Sequence, residues 1–132
     1  MGKRELDELC VRKKKQIIKL IEVAEVTRRI AEAVERRDEL SAQMLLDERE
    51  APVRALQETE EEIRAYLAEL PESDAARLAE LLHGKAAEAE EEKTLAEEVG
   101  RFYRLLESVT AMDRQLSIRM GGKRSFYQQY GI

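Results

Sequence analysis

Apolar residues recur at intervals of three and four along almost the whole chain, and very little interrupts them. In the last third the series runs Leu78, Leu82, Ala86, Ala89, Ala96, Val99, Phe102, Leu106, Val109, Leu116 and Met120. That spacing puts side chains on one face of a helix. Only two prolines and six glycines occur in 132 residues, and no β-branched run is bounded by turn residues, as a strand would require. Charged residues make up 39% of the chain and aromatics 5%, the balance of long helices and coiled coils. The chain is therefore predicted to be all-α. We expect an elongated antiparallel three-helix bundle of coiled-coil type, one domain over residues 1–120, and a flexible aromatic tail over 121–132.

The first helix is predicted over about 5–36, with Leu6, Leu9 or Cys10, Ile17, Leu20 or Ile21, Ala24, Ala31 and Val34 facing inward. Arg36, Arg37 and Asp38 suit a reversal, the arginines at a helix C-terminus and Asp38 as an N-cap. No glycine marks this turn, so one continuous helix through it is the rival reading. The second helix is predicted over 39–70, with Leu40, Met44, Leu45, Val53, Leu56, Ile63 and Leu67 as its stripe. Pro52 should kink or break it near Leu46 to Glu50. Leu70-Pro71 ends it, and Ser73 or Asp74 caps the next helix.

The third helix is predicted over 75–120, with His83-Gly84 as its weakest point. At about 1.5 Å per residue it would span about 69 Å, against about 48 Å for each of its neighbours. It should then overhang them beyond Tyr103 and leave an apolar face in want of a partner.

Charge is uneven. Residues 1–37 hold 11 Lys and Arg against 7 Asp and Glu, whereas residues 38–70 hold 3 against 10. The two segments should pack as neighbours, and Arg12-Lys-Lys-Lys15 reads as a solvated face. A net charge of −5 argues against nucleic acid as a partner. No run approaches about 20 apolar residues, so no membrane insertion is expected. A lone cysteine, Cys10, fits a reducing cytoplasm. Glu80 and His83 have the Glu-x-x-His spacing of carboxylate metal bundles, but such a site takes the motif twice and the chain has one histidine. No metal, no cofactor and no catalytic set is expected.

Arg37-Asp-Glu-Leu-Ser-Ala-Gln-Met-Leu-Leu-Asp-Glu-Arg-Glu50 resembles the segment that opens the second helix of FlgN-type flagellar export chaperones. The ending Tyr127-Gln-Gln-Tyr-Gly131 is similar to the Tyr-x-x-x-Gly close of many members. The related FliT-type chaperones resemble the chain in the same way, and Pro52 departs from the family's uninterrupted second helix. The resemblance implies a cytoplasmic chaperone of the flagellar type III export apparatus. It would bind the helical C-terminal ends of hook-associated (hook–filament junction) proteins and hand them to an export-gate component. The cargo face would then be Val99, Phe102, Tyr103, Leu106, Val109, Met112, Leu116 and Met120, and Tyr127 and Tyr130 would contact the gate. The competing expectation is a structural or adaptor coiled coil that homodimerises through the third helix.

Overall fold

In a computed structural model, residues 2–120 are described, and all their regular structure is helical. Helix α1 spans Lys3–Glu35, α2 Glu39–Ala68, α3 Glu72–Leu82 and α4 Lys93–Arg119, with one 3-10 turn at Glu90–Glu92 before α4. The all-α expectation holds. The tail 121–132, with Tyr127 and Tyr130, lies outside the described residues.

Both predicted reversals exist, but at the second the N-cap of α3 is Pro71 with no side-chain cap bond, so neither Ser73 nor Asp74 caps that helix. After α1 the amide of Arg37 donates to the carbonyl of Val34 (3.0 Å) and that of Asp38 to Ala33 (2.8 Å). These two bonds make a Schellman motif, which requires a left-handed residue at its centre. Arg37 fills that role, with φ 61°, at a cost of about 1 kcal/mol that a glycine would not incur. Asp38 then caps α2 by accepting the Ser41 amide at 3.0 Å. The second Schellman motif ends α3, where Gly84 donates to Leu81 (3.0 Å) and Lys85 to Glu80 (3.0 Å). Here the central residue is Gly84, φ 99°, which bears that conformation without strain.

Gly84 overturns the prediction of one long third helix. The stretch 75–120 is divided into α3, a connection over residues 83–89, and α4. The three long helices have 33, 30 and 27 residues, so α4 fits within the length of α1 and does not overhang. The surplus length is spent crossing one end of the bundle. There Leu78, Leu81 and Leu82 of α3 pack with Leu6, Leu9 and Cys10 of α1, Ile63 of α2, and Leu95 and Val99 of α4. A middle cluster joins Ile17, Leu20 and Val23 to Val53, Leu56, Phe102 and Val109. The far end joins Ile30 and Ala33 to Ala42, Leu45, Leu46 and Leu116. The order of these layers makes α1 and α4 run one way and α2 the other.

The break expected on α2, and two of its predicted core residues, need correction. The helix is unbroken through Pro52. The ring removes only the bond to the Glu48 carbonyl; Glu48 is exposed, where water can take that bond, while Arg49 and Val53 on either side are buried. Leu40 and Met44 are not core residues but are 74% and 57% exposed. Of the rest of the predicted stripe, Leu45, Val53, Leu56 and Ile63 are buried, and Ala42, Leu46, Arg49 and Thr59 join them.

The connection before α4 is held by charge. Arg77 on α3 donates to both oxygens of Glu92, at 3.0 and 2.7 Å, and to the Ala86 carbonyl at 3.2 Å. Glu92 also accepts the amides of Glu88 (2.9 Å) and Ala89 (3.3 Å). The Arg77 guanidinium first, and then the Glu88 amide, hold the Glu92 carboxyl down at about 2. Because this value lies below the ordinary one of 4.5, the stabilisation is complete above the ordinary value and is lost as pH falls towards 2. Hydrogen-exchange protection of the Glu88 and Ala89 amides, corrected for intrinsic rates, is expected to stay constant from neutral pH down to that ordinary value and to fall below it. Glu92→Gln should lower the protection at neutral pH. Unchanged protection in that variant would show that the carboxylate does not hold the connection.

Candidate functional site

Helix α1 lies against both α2 and α4, while the backbones of α2 and α4 scarcely approach one another. What spans between them is side chain. Near the far end this is a buried polar contact. Arg49 of α2 donates to Asp113 of α4 at 2.8 Å and to the Thr27 hydroxyl of α1 at 3.3 Å. All three residues are 1% exposed, so one polar layer joins all three long helices.

Towards the α3 end the space between α2 and α4 is open. It forms a groove of about 590 Å³ lined by Gln57, Glu60, Glu61, Ile63, Arg64 and Leu67 of α2, and by Phe102, Tyr103 and Leu106 of α4. Ala79, Leu82 and His83 close one end, and Lys13 of α1 forms part of the floor. Phe102 and Tyr103 meet edge to face, with ring centroids 5.7 Å apart and planes at 74°. Tyr103 donates its hydroxyl to the Leu82 carbonyl at 3.2 Å, which fixes its ring at the groove wall. Burial, and then the Glu60 carboxylate, push the Tyr103 hydroxyl above its ordinary value.

Lys13 is the residue that sequence reasoning missed. The run Arg12-Lys-Lys-Lys15 was expected to be a solvated face. Lys14 and Lys15 are exposed, and Arg12 and Lys15 pair with Glu62 of α2, at 3.4 and 3.8 Å, as the charge segregation predicts. Lys13, however, is only 4% exposed. Its ammonium lies 4.1 Å from the centroid of the Phe102 ring and donates to Gln16 Oε1 at 2.6 Å. The Gln16 amide donates in turn to Glu60 Oε2 at 3.0 Å. Burial lowers the Lys13 amine to about 8, against the opposing pull of Glu60. The signal was present in the spacing. Leu6, Leu9, Lys13, Gln16, Leu20, Val23, Thr27 and Ile30 are separated by alternating threes and fours, and all are buried.

The eight residues expected to form a cargo face do not act as one face. Val99, Phe102, Val109 and Leu116 are between 0% and 4% exposed and belong to the three core clusters. Met112 and Met120 are half-buried against the middle and far clusters. Only Phe102, Tyr103 and Leu106 reach the groove. The reason is the break at Gly84, which draws α4 back alongside α1 so that its apolar stripe is used within the chain. Cys10 is buried, and burial raises its thiol above the ordinary value. His83 ends α3 with Nδ1 at 2.7 Å from the Ala79 carbonyl. Among the described residues no cluster of three or more His, Cys, Asp or Glu could hold a metal, and no helix is long and apolar enough to cross a membrane.

No protein-family model matches the chain, and neither the curated proteins nor the solved structures supply a match.

Proposed function

We propose that this protein is a helix-binding chaperone of the flagellar export type, acting in the cytoplasm, whose cargo lies in the groove between α2 and α4. The single observation that carries the reading is that groove. Two long helices are held apart on α1, and the gap between them is lined by Ile63 and Leu67 beside Gln57, Glu60, Glu61 and Arg64 on α2, and by Phe102, Tyr103 and Leu106 on α4. A partner helix laid there would complete a four-helix arrangement and bury an apolar face, the common mode of helix-in-groove recognition. The resemblance in 37–50 and at 127–131 supplies the partner class, the helical C-terminal ends of hook–filament junction proteins. It also supplies the second step, delivery to an export-gate component. The rival, self-association through the third helix, would draw on Val99, Val109 and Leu116, which the core already uses.

Deletion of the gene in its source organism tests the biological half of this reading. The expected result is cells that keep hooks but secrete little junction protein and build few filaments, with recovery on complementation. Normal secretion of junction proteins in the deletion strain would overturn the assignment.

A further inference from the structure

We infer that the helix accepted by the α2–α4 groove presents a carboxylate, from an Asp or Glu within its buried face, to the ammonium of Lys13. This deepens the groove reading and rests on it.

The inference starts from an incomplete cation. An ammonium has three donors and is strongly hydrated in water. That of Lys13 is nearly out of water and meets one neutral acceptor, Gln16, and one aromatic face, Phe102. Among the described residues no carboxylate forms an ion pair with it. The charged and titratable groups around the groove are Glu60, Glu61 and Arg64 from α2, His83 from the end of α3, and Tyr103 from α4. Glu60 is the acid that acts on Lys13, but the Gln16 amide stands between them and takes Glu60 Oε2. A buried cation held this way weakens the free protein, since burial of a charge is costly unless it is paired. The groove around it is part apolar (Ile63, Leu67, Leu82, Phe102, Leu106) and part charged (Glu60, Glu61, Arg64), and a cation short of acceptors beside that apolar part is complementary to an anion carried on an apolar surface. Helix binding would supply both.

The pH dependence follows from the same contacts. A carboxylate beside Lys13 favours its charged form, so the amine titrates higher in the complex than in the free protein. Affinity is therefore full from above the ordinary carboxylate range, about pH 4, up to about pH 8, the free value of Lys13, and falls as pH rises above it.

A displayed library of amphipathic helical peptides, with the apolar stripe randomised, tests the inference without knowledge of the natural partner. The library is selected in parallel against the wild-type protein, Lys13→Met and Leu106→Glu. Wild type is expected to enrich peptides with an acid at one position inside the stripe. Replacing that Glu by Gln should weaken binding about tenfold or more, and the difference should vanish above pH 10 and in Lys13→Met. Lys13→Met itself should melt several degrees higher than wild type, which separates lost binding from lost folding. Stripes of the same composition from wild type and Lys13→Met would overturn the carboxylate while leaving the groove in place. Failure of wild type to select any peptide that Leu106→Glu rejects would overturn the groove and the inference together.

Discussion

Asp113→Ala is expected to destabilise the protein by about 3–5 kcal/mol, the cost of breaking a buried ion pair from one side. Arg49 and Asp113 meet at 2.8 Å with side chains 1% exposed, and the guanidinium cannot shed its charge when the carboxylate goes. Against a total stability of about 5–15 kcal/mol for a domain, this loss is large. Arg49→Ala should cost a similar amount. The double change Arg49→Met, Asp113→Leu should recover most of it, because apolar side chains of similar volume replace buried pairs with little loss. Urea denaturation of the four proteins gives the comparison. If the double variant is as unstable as either single one, the pair is not an isolated electrostatic unit, and its layer contributes through packing. The position of the pair gives it a second consequence. It is a direct ionic tie between α2 and α4, so it helps to set how far apart the groove walls stand.

Two glutamates placed three residues apart on α4 should behave in opposite ways. Val109 is fully buried in the middle cluster, and Val109→Glu puts an unpaired carboxylate into that core. A loss beyond about 4 kcal/mol is expected, enough to unfold a marginal domain. Leu106 is half-buried at the groove wall, where a glutamate can turn towards water. Leu106→Glu should keep its helix content and most of its melting temperature, yet abolish partner binding. Circular dichroism melts of both variants decide the matter. Comparable melting temperatures would mean that α4 does not pack as described, and would restore the overhanging face that the unbroken-helix reading implies.

Much of the fold was legible because its punctuation is local. Asp38 caps α2 through one side-chain bond to Ser41, Pro71 precedes α3, and Gly84 has the left-handed conformation that a Schellman motif needs. Each of these depends on residues within a few positions. Gly100, by contrast, stays helical inside α4, and nothing in the spacing separates it from Gly84. The length mismatch, and with it the overhang, rested on carrying the third helix through Gly84 although His83-Gly84 is its weakest point.

The groove was less legible, for a different reason. It is made by what α1 places between α2 and α4, a three-helix relationship that a single-helix stripe does not encode. Polar residues at inward positions obscured it further. Lys13 and Gln16 on α1 and Arg49 and Thr59 on α2 are buried, and reading only apolar residues as inward left them out and put the exposed Leu40 and Met44 into the seam of α2. Phe102 and Leu106 belong to the periodic series, Tyr103 entered with the family resemblance, and all three line the groove. Their neighbours Val99, Val109 and Leu116 share that periodicity and are core, since a stripe alone does not reveal which partner covers it.

The central claim is that the α2–α4 groove receives a partner helix. Its most direct test is calorimetric titration of the purified protein with the C-terminal helical segment of a hook–filament junction protein from the same genome, repeated with Leu106→Glu. Saturable one-to-one binding that Leu106→Glu removes without unfolding the protein is the predicted result. Binding of equal strength to both proteins, or none to the wild type, would contradict it.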